Sequence, residues 1–503
     1  MSWVLRRYLS SRLICPACVH QTSHPARLLS SQSASTPRVC IIGSGPAGFY
    51  TAQSLLKGDK SLHVDIYDRL PVPFGLVRYG VAPDHPDVKN VINQFTTLAT
   101  AGRCNFIGGV SIGKDIQVKE LLDAYSAVVL SYGAESDKML NVPGEDLPGF
   151  YSARKFVGWY NGLPEHSTLD PMMDTDTAVV IGHGNVALDV ARILLTPLDI
   201  LKKTDITADA IEALKHSKVK KVHVVGRRGP LNISFTIKEL REMIKLPDCR
   251  TSINPEHFAG LETIIPELPR PKKRITELLL KSAQSAPSSQ EKARQDAASG
   301  EWHLDFFRSP SEVLSSSPLG ENGRVAGVTF DVCELENVNG EEKLVKTGES
   351  ETIPCGLVLR SIGYKSVQVD DFIPFDHQKG VVKNELGRVE GIQGLYCSGW
   401  VKRGPKGVIL SSLNDSIETA KCMLDDINSG AMDTSKPNGQ DRVLSLLAER
   451  GVTPITFSDW TKIDAEERAR GELVGKPREK MTRIEEMMDH ALAEKENDGQ
   501  EER

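Results

Sequence analysis

Short β-rich runs alternate with longer helix-forming ones along much of this chain. Arg38-Val-Cys-Ile-Ile42 is a run of strand formers that stops at a glycine cluster. Ala47 to Lys57 reads as a helix, and Leu62-His-Val-Asp-Ile-Tyr67 alternates as a half-buried strand does. This order predicts a βαβ unit. A second unit starts at Thr177-Ala-Val-Val-Ile181, turns at Gly182, runs as a helix through Leu195 and ends in Val222-His-Val-Val225. Two such units, each with its own glycine turn, predict an α/β chain with two Rossmann-like nucleotide-binding domains. Further on, Lys281 to Gly300 lacks periodicity and reads as a loop or mobile insertion. Val325 to Ile353 predicts a small antiparallel piece, and Leu357-Val-Leu-Arg-Ser-Ile362 a strand returning toward the first domain. Glu485 to Arg503 is densely charged and is expected to fray.

The glycine turns carry the candidate chemistry. In Gly43-Ser-Gly45-Pro-Ala-Gly48 the first glycine permits a tight turn and the second lets the backbone approach a pyrophosphate. The third lets the helix pack on the strand, with its N-terminal N–H groups facing the anion. Asp68 ends the next strand, where a carboxylate accepts hydrogen bonds from ribose hydroxyls. Gly182-His183-Gly184-Asn185-Val186-Ala187 is the second turn, and no acid ends its following strand. Arg227 and Arg228 stand there instead, which favours a 2′-phosphate and hence NADP over NAD. One turn with an acid and one with arginines suggest FAD first and NADPH second.

Composition narrows the picture. The 503 residues carry 61 basic and 67 acidic side chains, a net charge of −6, which argues against a general nucleic-acid binder. No stretch approaches the roughly 20 consecutive apolar residues of a membrane span. Asp59 is the first acidic residue, and Arg6, Arg7, Arg12 and Arg27 with eight serines fill the first 35 positions. That pattern predicts a mitochondrial presequence over residues 1–35. The nine cysteines are odd in number and scattered, as in a reducing compartment. None falls between residues 69 and 103, where a disulfide reductase would place a pair beside the flavin. Electrons from a reduced flavin therefore go to a one-electron carrier, a small organic substrate or oxygen. Ile200 to Lys281 holds 17 basic against 10 acidic residues, densest at Arg270, Lys272, Lys273 and Arg274. A dock for an acidic protein carrier is the functional reading, and a field that attracts NADP is the alternative. No His/Cys cluster has metal-ligand spacing, so an iron–sulfur centre would belong to the partner. His85, in Asp84-His85-Pro86, is a candidate proton relay, with a surface-loop histidine as the alternative.

Longer motifs carry a resemblance. Val72-Pro-Phe-Gly-Leu-Val-Arg-Tyr-Gly-Val-Ala-Pro-Asp-His-Pro86, Gly182-His-Gly-Asn-Val-Ala-Leu-Asp-Val-Ala-Arg192, Val225-Gly-Arg-Arg-Gly-Pro230 and Ser398-Gly-Trp-Val-Lys-Arg-Gly-Pro405 resemble mitochondrial ferredoxin–NADP reductases of the adrenodoxin reductase type. The resemblance covers roughly residues 36–490. It implies a glutathione-reductase-like fold without the dimerisation domain. An FAD domain would occupy residues 36–138 and 362–503, the latter with a C-terminal tail, around an inserted NADP domain at 139–361. Ala47, Asp68, Leu76, Ile112, Trp400, Gly407, Val408 and Ile409 match FAD contacts. His183 to Val186, Arg227, Arg228, Glu239 and Gly407 match NADP contacts, and Arg270 and Arg274 the ferredoxin-docking arginines. Read from sequence alone, Glu239 is a solvated helix acid, and Trp400 is core unless its glycine neighbours mark close approach to a ring system. The implied activity is electron transfer from NADPH through FAD to an acidic [2Fe–2S] ferredoxin. That carrier serves haem monooxygenases of steroid and cholesterol metabolism and iron–sulfur assembly. A small-substrate flavoenzyme such as a flavin monooxygenase is the rival. A monomer in the matrix, in peripheral contact with the inner membrane, is expected. Three residues depart from the family's usual pattern: Asp68 for Glu, His183 for Gln and Lys406 for Thr.

Overall fold

The computed structural model describes residues 37–501, apart from 285–287, 318–322, 339–340, 408 and 435–438. The first βαβ unit is β1 (Arg38–Ile42), α1 (Pro46–Gly58) and β2 (His63–Tyr67). Its strands are buried almost throughout, as parallel strands covered on both faces must be. They are central in an eight-stranded sheet. From one edge the order is Asn384–Glu385, Arg388–Val389, Leu395–Cys397, Ala127–Leu130, β1, β2, Cys104–Gly108 and Ile455–Thr456. The middle five strands are parallel and the edge pairings antiparallel.

The second unit is β3 (Thr177–Ile181), α2 (Asn185–Leu195) and β4 (Lys221–Val225). It lies in a six-stranded parallel sheet ordered Phe150–Ser152, Leu357–Arg360, β3, β4, Gly300–Asp305 and Cys249–Ile253. The chain thus leaves the first sheet after Leu130 and rejoins it at Asn384. One face of the second sheet is covered by the antiparallel strands Arg308–Ser315, Val325–Val338 and Glu341–Pro354. Its other face packs against helices that include α2, α3 (Ile237–Ile244) and α4 (Arg270–Gln284).

Three expectations change. Leu357–Arg360 is no returning strand; it inserts between Phe150–Ser152 and β3 as part of the second sheet. Ser289–Ala297 is a helix within the stretch read as a loop. Ser288 caps it through the Glu291 N–H, and Arg294 donates to the Leu246 and Cys249 carbonyls. Ile484–Glu501 is a helix that buries Met487 and Ala491 in the core of the first sheet, so its first half does not fray. The predicted presequence lies outside the described residues.

Candidate functional site

Helix α1 opens at the first glycine turn. Gly45 is its extended N-cap, Pro46 takes the first helical position, and no side chain caps it. First-turn N–H groups lack intrahelical partners and form the positive end of the helix dipole. At Gly43 (φ 105°) a Cβ would stand 2.7 Å from the Ser131 carbonyl oxygen, and at Gly48 it would overlap the Gly43 carbonyl. At Gly45 nothing lies within 4 Å. The turn is tight behind and open in front, which fits a pyrophosphate seated on the helix end. Ala47, in that first helical turn, is buried. A Cβ on Gly75 would lie 3.1 Å from the Gly45 Cα, so its neighbour Leu76, 40% exposed, stands near the same mouth. Asp68 does more than present a carboxylate. Its Oδ2 accepts from the Ser44 N–H (2.8 Å) and hydroxyl (2.6 Å), and its Oδ1 from the Leu70 N–H (3.0 Å). The shorter acid holds the turn itself. Ile112 forms a bridge to Ile116 and packs against the first sheet's core.

The second turn repeats the design. Gly184 caps α2 with open space before it, and a Cβ on Gly182 would overlap the Ser361 carbonyl. Asn185 and Val186 open the helix, and the Asn185 Oδ1 accepts from the Thr236 N–H at 2.8 Å, tying the turn to the start of α3. The His183 ring turns inward. It lies edge-on to Phe306 at 5.0 Å and within 3.2 Å of the Val224 carbonyl through Nε2. Burial pushes its pKa down to about 4, so it is neutral. Arg227 and Arg228 are exposed beyond β4, and neither has a carboxylate partner among the described residues.

Glu239 is not the solvated helix acid that its local sequence predicts; it is buried. It sits in a cluster joining the loop after β2 to α2 and α3. Arg192 donates to Asp84 through Nε (2.5 Å) and Nη2 (3.1 Å), to Asp189 (2.7 Å) and to Glu239 (3.3 Å). The His85 Nε2 is 2.7 Å from the Glu242 Oε2 and 3.8 Å from the Glu239 Oε2. Burial, then the charge of Asp189, raises the Glu239 pKa. Burial acts against ionised Asp84 too, but the bonds and charge of Arg192 outweigh it and hold that carboxyl below its usual range. Asp189 and Arg192, three apart on one helix, could be paired from sequence. Asp84, 108 positions earlier, and Glu242 carried no such signal.

The C-terminal candidates form one segment. Trp400 starts the short helix Trp400–Arg403, with its ring 6.0 Å from that of Tyr364. Gly407 has φ 87°, Ile409 begins α5 (Ile409–Asn428), and Val408 lies outside the described residues. Lys406 is exposed, and its carbonyl accepts from Arg403. The basic cluster heads α4. Arg270, Lys272 and Arg274 are exposed, and the Lys273 Nζ reaches the Pro266 carbonyl at 3.4 Å. Burial pushes the thiols of Cys104, Cys249 and Cys355 up to about 12, which keeps them protonated and poor nucleophiles. A second histidine group, His223, His303 and Asp305, lies on the second sheet. Its two rings stack at 4.2 Å and 16°, and the His223 Nδ1 lies 2.8 Å from the Asp305 Oδ2.

Comparison with known proteins agrees with this geometry. Residues 37–245 match the pyridine nucleotide-disulphide oxidoreductase family. The mitochondrial NADPH:adrenodoxin oxidoreductase of Homo sapiens is 57% identical over 453 residues, 90% of this chain and 91% of the relative. That of Arabidopsis thaliana is 47% identical over 92% of this chain and 97% of the relative. The chain belongs to this family. Mycobacterium tuberculosis FprA, solved in complex with NADPH, has a TM-score of 0.83 at 38% identity, covering 91% of this chain and 100% of FprA. The chain is an oxidoreductase that uses FAD and NADP(H), and the open glycine turns fit both groups.

Proposed function

We propose that the protein passes electrons from NADPH, through FAD, to an acidic [2Fe–2S] ferredoxin of the adrenodoxin type in the mitochondrial matrix. One observation carries the reading: two open helix N-termini, one beside a carboxylate and one beside two exposed arginines. FAD, when bound, takes up a hydride from NADPH and releases electrons singly to a carrier. The protein's own groups bind and orient. Gly43, Gly45, Ala47 and Gly48 receive the FAD pyrophosphate, and Asp68 stiffens that turn while facing the ribose. Leu76, Ile112, Trp400 and Gly407 to Ile409 bound the FAD. Gly182 to Val186 receive the NADP pyrophosphate, and Arg227 and Arg228 its 2′-phosphate. Glu239 contacts the NADP as the family resemblance implies, and His85, whose Nε2 lies 2.7 Å from the Glu242 Oε2, is the proton relay. Sheet membership of the strands supports an FAD domain of residues 36–138 and 362–503 around an NADP domain of 139–361.

Arg270, Lys272, Lys273 and Arg274 form the ferredoxin dock. Four cations at a helix N-terminus oppose the helix dipole, so their placement weakens the helix they start. A partner that neutralises them accounts for that cost. The reduced ferredoxin serves haem monooxygenases of steroid and cholesterol metabolism and iron–sulfur assembly, as the family resemblance implies. A monomeric state and a peripheral inner-membrane contact belong to the same proposal. Leu473 and Val474, 87% and 62% exposed, support the contact; sedimentation equilibrium and flotation with anionic vesicles check the two. Among the described residues no helix is long and apolar enough to cross a membrane.

Stopped-flow reduction of an acidic [2Fe–2S] ferredoxin tests the reading. The rate is expected to be far higher with NADPH than NADH and to fall steeply with salt. Arg270→Glu with Arg274→Glu should slow ferredoxin reduction while sparing NADPH reduction of a small dye. Arg227→Ala with Arg228→Ala should raise the KM for NADPH roughly tenfold or more, the loss expected for charged phosphate contacts, and leave that for NADH little changed. A salt-independent rate, or equal effects on both nucleotides, would overturn the respective assignment.

A further inference from the structure

Lys402 is a buried lysine inside the segment that bounds the proposed flavin site. Its side chain is 6% exposed. Its Nζ meets the Asp415 Oδ1 at 3.1 Å, the Glu418 Oε2 at 2.6 Å and the Thr419 Oγ1 at 3.0 Å, all on α5. Asp415 is itself only 8% exposed, and its other oxygen, Oδ2, accepts from the Gly399 N–H at 2.5 Å. Lysine, aspartate and backbone amide therefore form one chain of charge-assisted bonds ending just before Trp400.

What that amide touches gives the chain its meaning. Gly399 has φ 77°, and a Cβ there would overlap the Cβ of Ala47 in the first turn of α1. Next to it, the Ser398 hydroxyl meets the Thr51 and Ser416 hydroxyls, each at 3.1 Å. Ser416 and Thr51 both donate to the Ala47 carbonyl, at 3.1 and 2.8 Å. The segment carrying Trp400 is thus pressed against the turn that receives the pyrophosphate, and α5 supplies the pressure.

We propose that Lys402 is a positioning residue. Through Asp415 it fixes the Gly399 amide, and so locks the flavin-bounding segment to the pyrophosphate turn and sets how firmly FAD is held. A carboxylate this buried holds an amide strongly where a cation beside it offsets the cost of leaving water. The alternative cation, Arg403, stands 4.0 Å away at Nε, and that Nε has no hydrogen-bond partner among the described residues. The proposal rests on this being the FAD site, which the flavin content of the wild-type holoenzyme checks by itself.

The test follows FAD release from purified holoenzyme by flavin fluorescence on dilution, with the visible flavin absorption band recorded in parallel. Lys402→Met is expected to release FAD about tenfold more readily, the loss typical of one charged hydrogen bond, and to shift the band. The KM for NADPH should change less than twofold, within the scatter of a site left intact. Lys402→Arg should restore most of the retention, which a cavity effect would not. Asp415→Asn, matched in size, should copy Lys402→Met, and it carries the test where Lys402→Met does not fold. Wild-type retention and an unshifted band in Asp415→Asn would overturn the proposal. So would a Lys402→Arg protein as leaky as Lys402→Met.

Discussion

A histidine ring lying against Gly226 and edge-on to Phe306 has no room for a hydrated imidazolium. Burial holds His183 at about 4 against an ordinary value of 6.5. The folded state therefore stays neutral between those values while the unfolded chain takes up a proton. Stability attributable to this ring is complete above pH 6.5 and is lost as the pH falls toward 4. His183→Gln installs the residue usual in the family and removes that loss. Urea denaturation at pH 7 and pH 5 should show a smaller difference between the two pH values in the variant than in the parent. Residues whose place is fixed by local backbone geometry are legible in the sequence: Gly43, Gly45, Gly48, Gly182 and Gly184 form the tight-backed, open-fronted turns their spacing predicts. Residues whose role depends on what tertiary structure brings to them are not. Asp68 was read as a ribose acceptor, yet it also holds Ser44. Glu239 reads locally as a solvated helix acid, yet it is buried beside Arg192 and His85.

Among elements, both βαβ units were legible because buried parallel strands and glycine turns leave strong local patterns. Helices held by polar contacts or by a few scattered apolar anchors were not. Ser289–Ala297 depends on a serine cap and on Arg294 reaching the Leu246 and Cys249 carbonyls, none of which produces hydrophobic periodicity. Ile484–Glu501 hides two fully buried anchors, Met487 and Ala491, four residues apart in a charged background. The second of these helices is open to a direct measurement. Met487→Ala leaves a cavity beside the first sheet and should cost about 2–5 kcal/mol. The urea midpoint should fall with an unchanged slope. A midpoint equal to the parent's would mean that the helix contributes nothing to the fold.

Across the whole molecule, charged side chains bind the two sheets to each other. Arg192 gathers Asp84, Asp189 and Glu239, and Asp205 takes both Lys89 (2.6 Å) and Lys480 (3.1 Å). Arg192→Met would strand three carboxylates around an apolar side chain, and breaking a buried pair in this way costs about 3–5 kcal/mol. Two separate transitions in urea, in place of one, would show that this clasp makes the halves unfold together. Of these pairs Arg192–Asp189, within one helix turn, could be seen in the sequence; the others join segments far apart along the chain. The strand order of the first sheet has a different consequence. Its inner strands β1 and β2 come near the start of the chain, but Leu395–Cys397 and Ile455–Thr456 close it from near the end. A polypeptide threaded into an organelle N-terminus first must therefore admit more than 400 residues before this sheet is complete. The second sheet, whose strands end at Arg360, can finish earlier. All strands of the second sheet are then available before those of the first, and the first sheet, fed from both ends of the described chain, is sealed last.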